Sequence, residues 1–191
     1  MQENNGIKIL KTGGILCAVT AVAALLLACV NNFTAPVIEQ NMIEKTNNAM
    51  KSVMPEADSF EEIDFEPSEE CESVNSVYEA KKDGETIGWC VSAGPNGYGG
   101  AIEMIVGVNG DMTVSGVDII SQSETAGLGA KATEPEFRMQ YKGKGKIEKV
   151  VKSGAGDNEI NAITSATITS KAVTKGVNES VNAAGSLSTG K

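Results

Sequence analysis

The chain has 191 residues, with 25 acidic side chains, 16 basic side chains, a net charge of −9 and no histidine. The length allows one domain with a hydrophobic core plus a short appendage. Net negative charge argues against nucleic-acid binding, and the lack of histidine argues against hydrolytic and zinc chemistry, because histidine is the usual general base and a common zinc ligand. A cofactor must therefore carry any redox reaction.

The first element is an apolar segment. Residues 13–30 form an uncharged run of 18 residues, which as a helix rises about 27 Å and can span a hydrocarbon core. Lys8 and Lys11 precede this run, whereas the first basic residue after it is Lys45. The positive-inside rule therefore predicts a cytoplasmic N-terminus and an extracytoplasmic remainder.

A cleaved signal peptide is the alternative for this segment, because basic residues followed by an apolar stretch also describe one. The string Leu26-Leu27-Ala28-Cys29 resembles a lipobox, in which Cys29 would be lipidated. If the segment stays in the membrane, Cys17 and Cys29 are small residues that face lipid or a partner helix.

A stalk helix is predicted next. Asn31 to Pro36 indicates a break, with Thr34 as an N-cap, and an apolar stripe then continues to Met54 before Pro55 ends the helix. The acidic segment 56–72 is interpreted as a solvated loop.

The remaining chain predicts an α+β domain with a mainly antiparallel sheet. The predicted strands are 77–81, 86–93, 102–108 and 112–120, and they are followed by a short helix at 134–141, strands at 147–151 and 159–163, and a last helix. Residues 185–191 are predicted to fray.

The last helix begins in a run of small and hydroxyl residues, Thr164-Ser165-Ala166-Thr167-Ile168-Thr169. With Thr167 or Thr169 as N-cap, the free N–H groups and the dipole of the first turn would stabilise a phosphate. An ordinary Thr-capped helix is the simpler explanation of the same residues.

The run resembles the flavinylation motif of the FMN-binding domain family, Asp-x-x-Ser/Thr-Gly-Ala-Thr, whose last Thr carries FMN through a phosphoester bond. Asn161 stands where the family has Asp, and Ser165 stands where it usually has Gly. Two further strings match the same family, in the same order: Gly97-Tyr98-Gly99-Gly100-Ala101-Ile102 and Glu124-Thr125-Ala126-Gly127-Leu128-Gly129-Ala130.

The resemblance implies FMN bound covalently through its phosphate to Thr167, with no catalytic side chain and no metal ligand. It places the other cofactor-binding residues in the motif and in the two glycine-rich strings: Thr164, Ser165, Ala166, Thr169, Glu124, Thr125, Gly127, Leu128, Gly129, Tyr98 and Gly99. The glycines would let the isoalloxazine ring approach the backbone.

Within that family the chain is most similar to the G subunits of Rnf-type ion-translocating ferredoxin:NAD oxidoreductases. The resemblance implies a single-pass membrane subunit that transfers electrons without independent turnover, beside subunits that carry flavin and iron–sulfur centres. A flavin transferase would install the FMN. The implied division is a cytoplasmic N-terminus at 1–12, a transmembrane helix at 13–31, a stalk helix at 32–55 and an extracytoplasmic FMN-binding domain at 56–191.

Three alternatives remain open at this point. The first is the related C subunit of sodium-translocating NADH:quinone reductase, and the second is an anchored or lipidated extracellular flavoprotein. The third is a module that only binds a phosphate-bearing ligand. The sequence also leaves open whether Cys71 and Cys90 form a disulfide or remain buried thiols.

Overall fold

The structure is a computed structural model that describes residues 5–189 and the side chains of residues 9–188. It divides into two units, Met1–Glu44 and Lys45–Lys191. Most of the frayed tail predicted at 185–191 is helical, because the last helix continues to Thr189; its final two residues lie outside the described chain.

The first unit consists of most of helix α1, which spans Asn5–Val53. Among the described residues, it is the one helix long and apolar enough to cross a membrane. The break predicted near Pro36 was wrong, because α1 continues through this residue. Thr34 does not cap a new helix there, since its hydroxyl donates to the Val30 carbonyl at 3.0 Å within the same helix.

The second unit is built on a five-stranded antiparallel meander in chain order. Its strands are β1 (Ser59–Ile63), β2 (Val74–Lys82), β3 (Glu85–Ala93), β4 (Glu103–Asn109) and β5 (Val114–Ser121). Asp83 and Gly84 form the tight β2–β3 turn with φ of 52° and 84°, the left-handed conformation that Asp-Gly turns favour. The α+β class with a mainly antiparallel sheet is thus confirmed.

Strand β1 corrects the predicted loop at 56–72. It pairs with β2 from Ser59↔Lys81 to Ile63↔Val77, and a 3-10 turn at Glu69–Cys71 follows it. The strand was missed because Glu61 and Glu62 are exposed and only Phe60 and Ile63 are partly buried. Exposed charged side chains are typical of an edge strand.

Short elements connect the sheet to the last helix. Residues Gly129–Thr133 form a 3-10 turn, α2 spans Pro135–Arg138, and another 3-10 turn covers Met139–Tyr141. A separate two-stranded parallel sheet joins β6 (Lys149–Val151) to β7 (Glu159–Asn161). Helix α3 spans Thr167–Thr189.

The five-stranded sheet is covered on both faces. One face packs against α3 in a core that includes Val91, Met104, Val173 and Val177. The other face packs against the last turns of α1, where Ala49, Met50 and Val53 are buried beside Cys90 and Ile105. Burial of this apolar surface holds the sheet between two helical segments and fixes the start of α3 relative to the strands.

Gly107 and Gly116 let α1 approach the sheet closely. These two glycines are cross-strand partners in β4 and β5, and a Cβ atom at either position would lie about 3.1–3.2 Å from Val53. The Ser115 hydroxyl also donates to the Val53 carbonyl at 2.7 Å, which satisfies a carbonyl at the C-terminal end of α1.

Candidate functional site

A cleft of about 480 Å³ opens where three distant chain segments meet. Tyr98 comes from the loop between β3 and β4, and the segment 124–129 follows β5. The beginning of α3 completes the wall. The lining residues are Tyr98, Glu124, Thr125, Leu128, Gly129, Ser165, Ala166, Thr167, Ile168 and Thr169.

The start of α3 differs from the predicted Thr-capped helix. Thr167 is the first helical residue, and the Ala166 carbonyl accepts the first intrahelical bond, from Ser170 N at 3.0 Å. Ala166 therefore occupies the N-cap position, and the predicted capping role of Thr167 or Thr169 was wrong. The Thr167 side chain is exposed in the cleft instead.

This helix start provides backbone donors beside the Thr167 hydroxyl. The N–H groups of the first turn, at Thr167, Ile168 and Thr169, have no intrahelical acceptor. Together with the helix dipole they make a site that favours an anion such as phosphate.

Ser165 turns the chain into this helix with φ of 63°. This left-handed conformation is uncommon for a residue with a side chain and is the natural one for glycine. The structure therefore explains why glycine would suit this position and shows that serine adopts the same turn.

Asn161, the other departure from the motif, has a structural role. Its amide oxygen accepts the Ala155 N–H at 3.1 Å, while its own N–H donates to Gln140 at 2.8 Å. An aspartate oxygen could accept the same N–H, so asparagine preserves the local loop.

Glu124 joins all three segments of the cleft. Its Oε1 atom accepts the Tyr98 and Gly99 N–H groups, both at 2.8 Å. Its Oε2 atom accepts the Thr169 hydroxyl at 2.5 Å. The side chain is 9% exposed, so these bonds satisfy a buried carboxylate and hold the Tyr98 loop and α3 in place.

These contacts keep Glu124 ionised. Burial by itself raises the pKa of this carboxyl, but the hydrogen bonds from Thr169, Gly99 and Tyr98 favour the charged form, and the pKa lies below its ordinary value. The cleft therefore contains a fixed negative charge near neutral pH.

Three glycines make room for this arrangement. A Cβ atom on Gly97 or Gly129 would collide with the Glu124 carboxylate, and one on Gly99 would collide with the Ser123 backbone carbonyl. The structure shows that these glycines let protein atoms pack around Glu124. Their predicted role in admitting a flat ligand stays a prediction.

The cleft gathers most of the residues singled out from the sequence, and three lie elsewhere. Gly99 does not line the cleft but donates its N–H to Glu124, and Gly127 adopts a φ of 75° in the loop that leads to Leu128. Thr164 lines a neighbouring cavity of about 240 Å³ with Lys131 and Asn161. Ile168 was missed, although its position between two threonines at the helix start was a usable signal.

The cleft fits a flavin nucleotide by its chemistry. Tyr98, Leu128 and Ile168 are 72%, 40% and 56% exposed, which is unusual for neighbouring apolar side chains unless a ligand or partner covers them. The volume lies in the range of small-molecule sites, which is about 300–1,000 Å³. The apolar wall suits a flat ring, and the backbone donors of the first helical turn suit a phosphate.

The comparison with known proteins agrees with a flavin-binding cleft. Residues 97–182 match the model of the FMN-binding domain, and residues 1–53 match that of the RnfG N-terminal region. An apolar N-terminal helix joined to a domain of this kind defines a membrane-anchored flavoprotein.

Two relatives extend over nearly the whole chain. The G subunit of the Na⁺-translocating ferredoxin:NAD⁺ oxidoreductase complex of Acetobacterium woodii is 40% identical, and the match covers 94% of this chain and 93% of that one. The G subunit of the proton-translocating complex of Clostridium ljungdahlii is 37% identical, with coverage of 99% and 97%. The chain belongs to the family of G subunits of ion-translocating ferredoxin:NAD oxidoreductase complexes.

Among solved structures, the crystal structure of Shewanella oneidensis NqrC shares the fold. Its TM-score is 0.55 at 20% identity, and the match covers 72% of this chain and 74% of that one. At this identity the likeness supports the architecture alone.

Proposed function

We propose that this chain is an electron-transfer subunit of an Rnf-type complex and carries FMN bound covalently to Thr167. The observation that carries the proposal is the position of the Thr167 hydroxyl, exposed at the start of α3 in the cleft beside Tyr98, Leu128 and Ile168. The full-length relatives are G subunits of complexes that couple ferredoxin:NAD⁺ oxidoreduction to ion translocation.

Each part of the cleft has a task in this proposal. Thr167 Oγ1 provides the oxygen of the phosphoester, and the N–H groups of the first helical turn stabilise the phosphate charge. Tyr98, Leu128 and Ile168 exclude water from the ring. The remaining lining residues hold the three segments of the cleft in position; they are Glu124, Thr125, Gly129, Ser165, Ala166 and Thr169. The bound flavin would supply one-electron and two-electron redox chemistry.

Covalent attachment suits a domain outside the cytoplasm. A dissociable cofactor would be lost by dilution there, whereas a phosphoester keeps it at the site. A flavin transferase would form the bond with FAD as donor: the Thr167 oxygen takes the FMN phosphoryl group, the pyrophosphate bond of FAD breaks and AMP leaves. The Thr167 side chain is exposed, as a substrate of such an enzyme requires.

The membrane anchor has a geometric role in the proposal. Lys8 and Lys11 precede the apolar run, and no basic residue follows until Lys45, which favours an extracytoplasmic domain by the positive-inside rule. Tethering by one helix raises the effective concentration of the domain near membrane partners. The division into residues 1–12, 13–31, 32–55 and 56–191 belongs to the same proposal.

The proposal is tested by comparing Thr167→Val with Thr167→Ser in the native host. The valine variant retains the shape of threonine and lacks the hydroxyl, so we expect a folded protein without flavin. The serine variant retains a hydroxyl and should still accept FMN. In-gel flavin fluorescence under denaturing conditions measures the linkage, and full fluorescence of the valine variant would refute the assignment.

A further inference from the structure

Charge is strongly segregated along the folded domain. Residues 56–136 contain 18 acidic and three basic side chains, a net of −15. Residues 142–175 contain seven lysines and three acidic side chains, a net of +4. The overall negative charge therefore conceals a basic region late in the chain.

Part of this basic region forms a defined surface. A cleft of about 380 Å³ between β6 and α3 is lined by Lys149, Lys171 and Lys175, with Glu148 as the one acidic side chain in its wall. We call these three lysines the basic face. Lys146 and Lys152 flank β6 and are also exposed.

The basic face has a rigid base. Asn178 on α3 accepts the Ile147 N–H at 2.7 Å and donates to the Ile147 carbonyl at 2.8 Å. This paired contact binds the start of the β6 segment to the helix. The lysines therefore project from two elements with a fixed separation. Binding of a matching partner costs little conformational entropy, because the backbone that carries the lysines is already ordered.

Two of the three lysines are available to a partner. Lys175 lies 3.4 Å from both Glu72 and Glu179. Within residues 9–188, Lys149 and Lys171 have no acidic side chain within ion-pair distance. Exposed cations without local partners are the groups that an external acidic surface can pair with.

Along α3, the basic face adjoins the cleft that contains Thr167. Lys171 lies four residues after Thr167, about one turn, so both side chains lie on the same side of the helix. Both are exposed. A partner that contacts Lys171 therefore also approaches Thr167.

We infer that the basic face docks an acidic surface of the protein that exchanges electrons with this domain; the inference rests on the electron-transfer function proposed above. An acidic protein patch is favoured over an anionic bilayer for a geometric reason. A bilayer carries its charge over an extended plane, and residues 56–136, with a net charge of −15, would be repelled wherever they came within a Debye length of about 8–10 Å. A protein patch of limited extent can match the lysines alone.

The test uses full-length chains that are purified with their complex from native membranes in neutral detergent. The variant K149E/K171E reverses the two unpaired lysines. The control K51E/K82E makes the same change in net charge at two exposed lysines of the second unit that lie outside the basic face. Each complex is washed with NaCl from about 50 mM to about 500 mM, and the other subunits retained per chain are measured.

We expect wild-type retention to fall as salt rises and K51E/K82E to behave like the wild type. For K149E/K171E we expect about tenfold lower retention at low salt and a weak dependence on salt, because reversed charges repel an acidic partner. Retention of this variant equal to the wild type at every salt concentration would overturn the inference.

Two further measurements separate the possible failures. The FMN content of the Thr167 peptide is measured in every preparation, so absence of FMN from the wild type contradicts the proposed function, whereas FMN with unchanged retention contradicts only the docking face. The wild-type chain alone is also placed in vesicles of phosphatidylcholine, with or without about 30% phosphatidylglycerol. Slower amide exchange at residues 142–152 in the anionic vesicles would assign the face to lipid and overturn the protein partner.

Discussion

The Thr169 hydroxyl donates a 2.5 Å hydrogen bond to the carboxylate of Glu124, 45 residues earlier in the chain. The same carboxylate accepts the N–H groups of Tyr98 and Gly99. One buried charge thus fixes two loops against the first turn of α3. The cleft depends on this charge for its shape.

We predict that Glu124→Gln destabilises the domain by about 1–3 kcal/mol, because the amide reproduces only part of the hydrogen bonding of the carboxylate. Chemical denaturation at neutral pH, compared with the exposed control Glu136→Gln, measures the difference. A Glu124→Gln variant as stable as the control would show that the network is dispensable.

Glu124 also gives the domain a specific acid sensitivity. Its pKa is lower in the folded domain than its ordinary value, since the hydrogen bonds outweigh the opposing effect of burial. Its stabilisation is therefore fully present above the unfolded-state pKa and is lost as pH falls through the lower folded pKa. We expect the free energy of unfolding to fall less steeply with acidification in Glu124→Gln than in the wild type, and parallel curves would contradict this role.

Gly99→Ala should disrupt the site through sterics. The new Cβ would collide with the Ser123 carbonyl, which is backbone and cannot rotate away, so we expect a loss of about 1–3 kcal/mol. FMN incorporation should fall with it. The matched control is Gly145→Ala, where the nearest atom to the new Cβ is 3.7 Å away, and its stability should change by less than about 0.5 kcal/mol. Equal effects of the two substitutions would contradict the packing account.

Ser165→Gly should stabilise the domain and keep the flavin. Ser165 has a φ of 63°, and a left-handed conformation costs a residue with a side chain about 1–2 kcal/mol. The greater entropy of glycine in the unfolded chain offsets part of this, so we expect a gain of about 0.5–1 kcal/mol. Ser165→Val should be destabilising, because β-branched residues tolerate this conformation poorly. Thermal unfolding of both variants checks the opposite signs.

Cys71 and Cys90 should remain thiols. Cys71 lies in the core on the α3 face of the sheet, whereas Cys90 is buried on the α1 face, so the sheet separates the two side chains. Burial raises the pKa of the Cys71 thiol, and it raises the pKa of the Cys90 thiol to about 12. Both shifts suppress the reactive thiolate. We expect no alkylation of either under native conditions and no effect of reductant on the melting temperature; a mass consistent with a Cys71–Cys90 disulfide would contradict this.

The sequence predicted the parts of the fold that rest on local patterns. Strands β2 to β5 alternate or concentrate apolar residues between clear turn signals such as Asp83-Gly84, and they form as expected. Strand β1 was not predicted, because its position depends on pairing with β2 and its own residues are mostly exposed. Pro36 suggested a break because proline removes one helical hydrogen bond, but α1 continues past it.

The candidate site shows the same division. Residues near Thr167 could be found from the motif because they are contiguous. The role of Glu124 could not be found from the sequence, because its three hydrogen-bond partners come from segments that approach it only in the folded chain. Likewise, the packing of Gly97, Gly99 and Gly129 against Glu124 and Ser123 could not be predicted, because these contacts join separate segments of the chain.

Peptide mass spectrometry of the protein purified from its native membrane tests the central claim most directly. The account predicts that the peptide containing Thr167 carries the mass of one FMN less one water, with fragment ions that place it on Thr167 rather than Thr164 or Thr169. An unmodified Thr167 in a preparation that is fully active in electron transfer would contradict it.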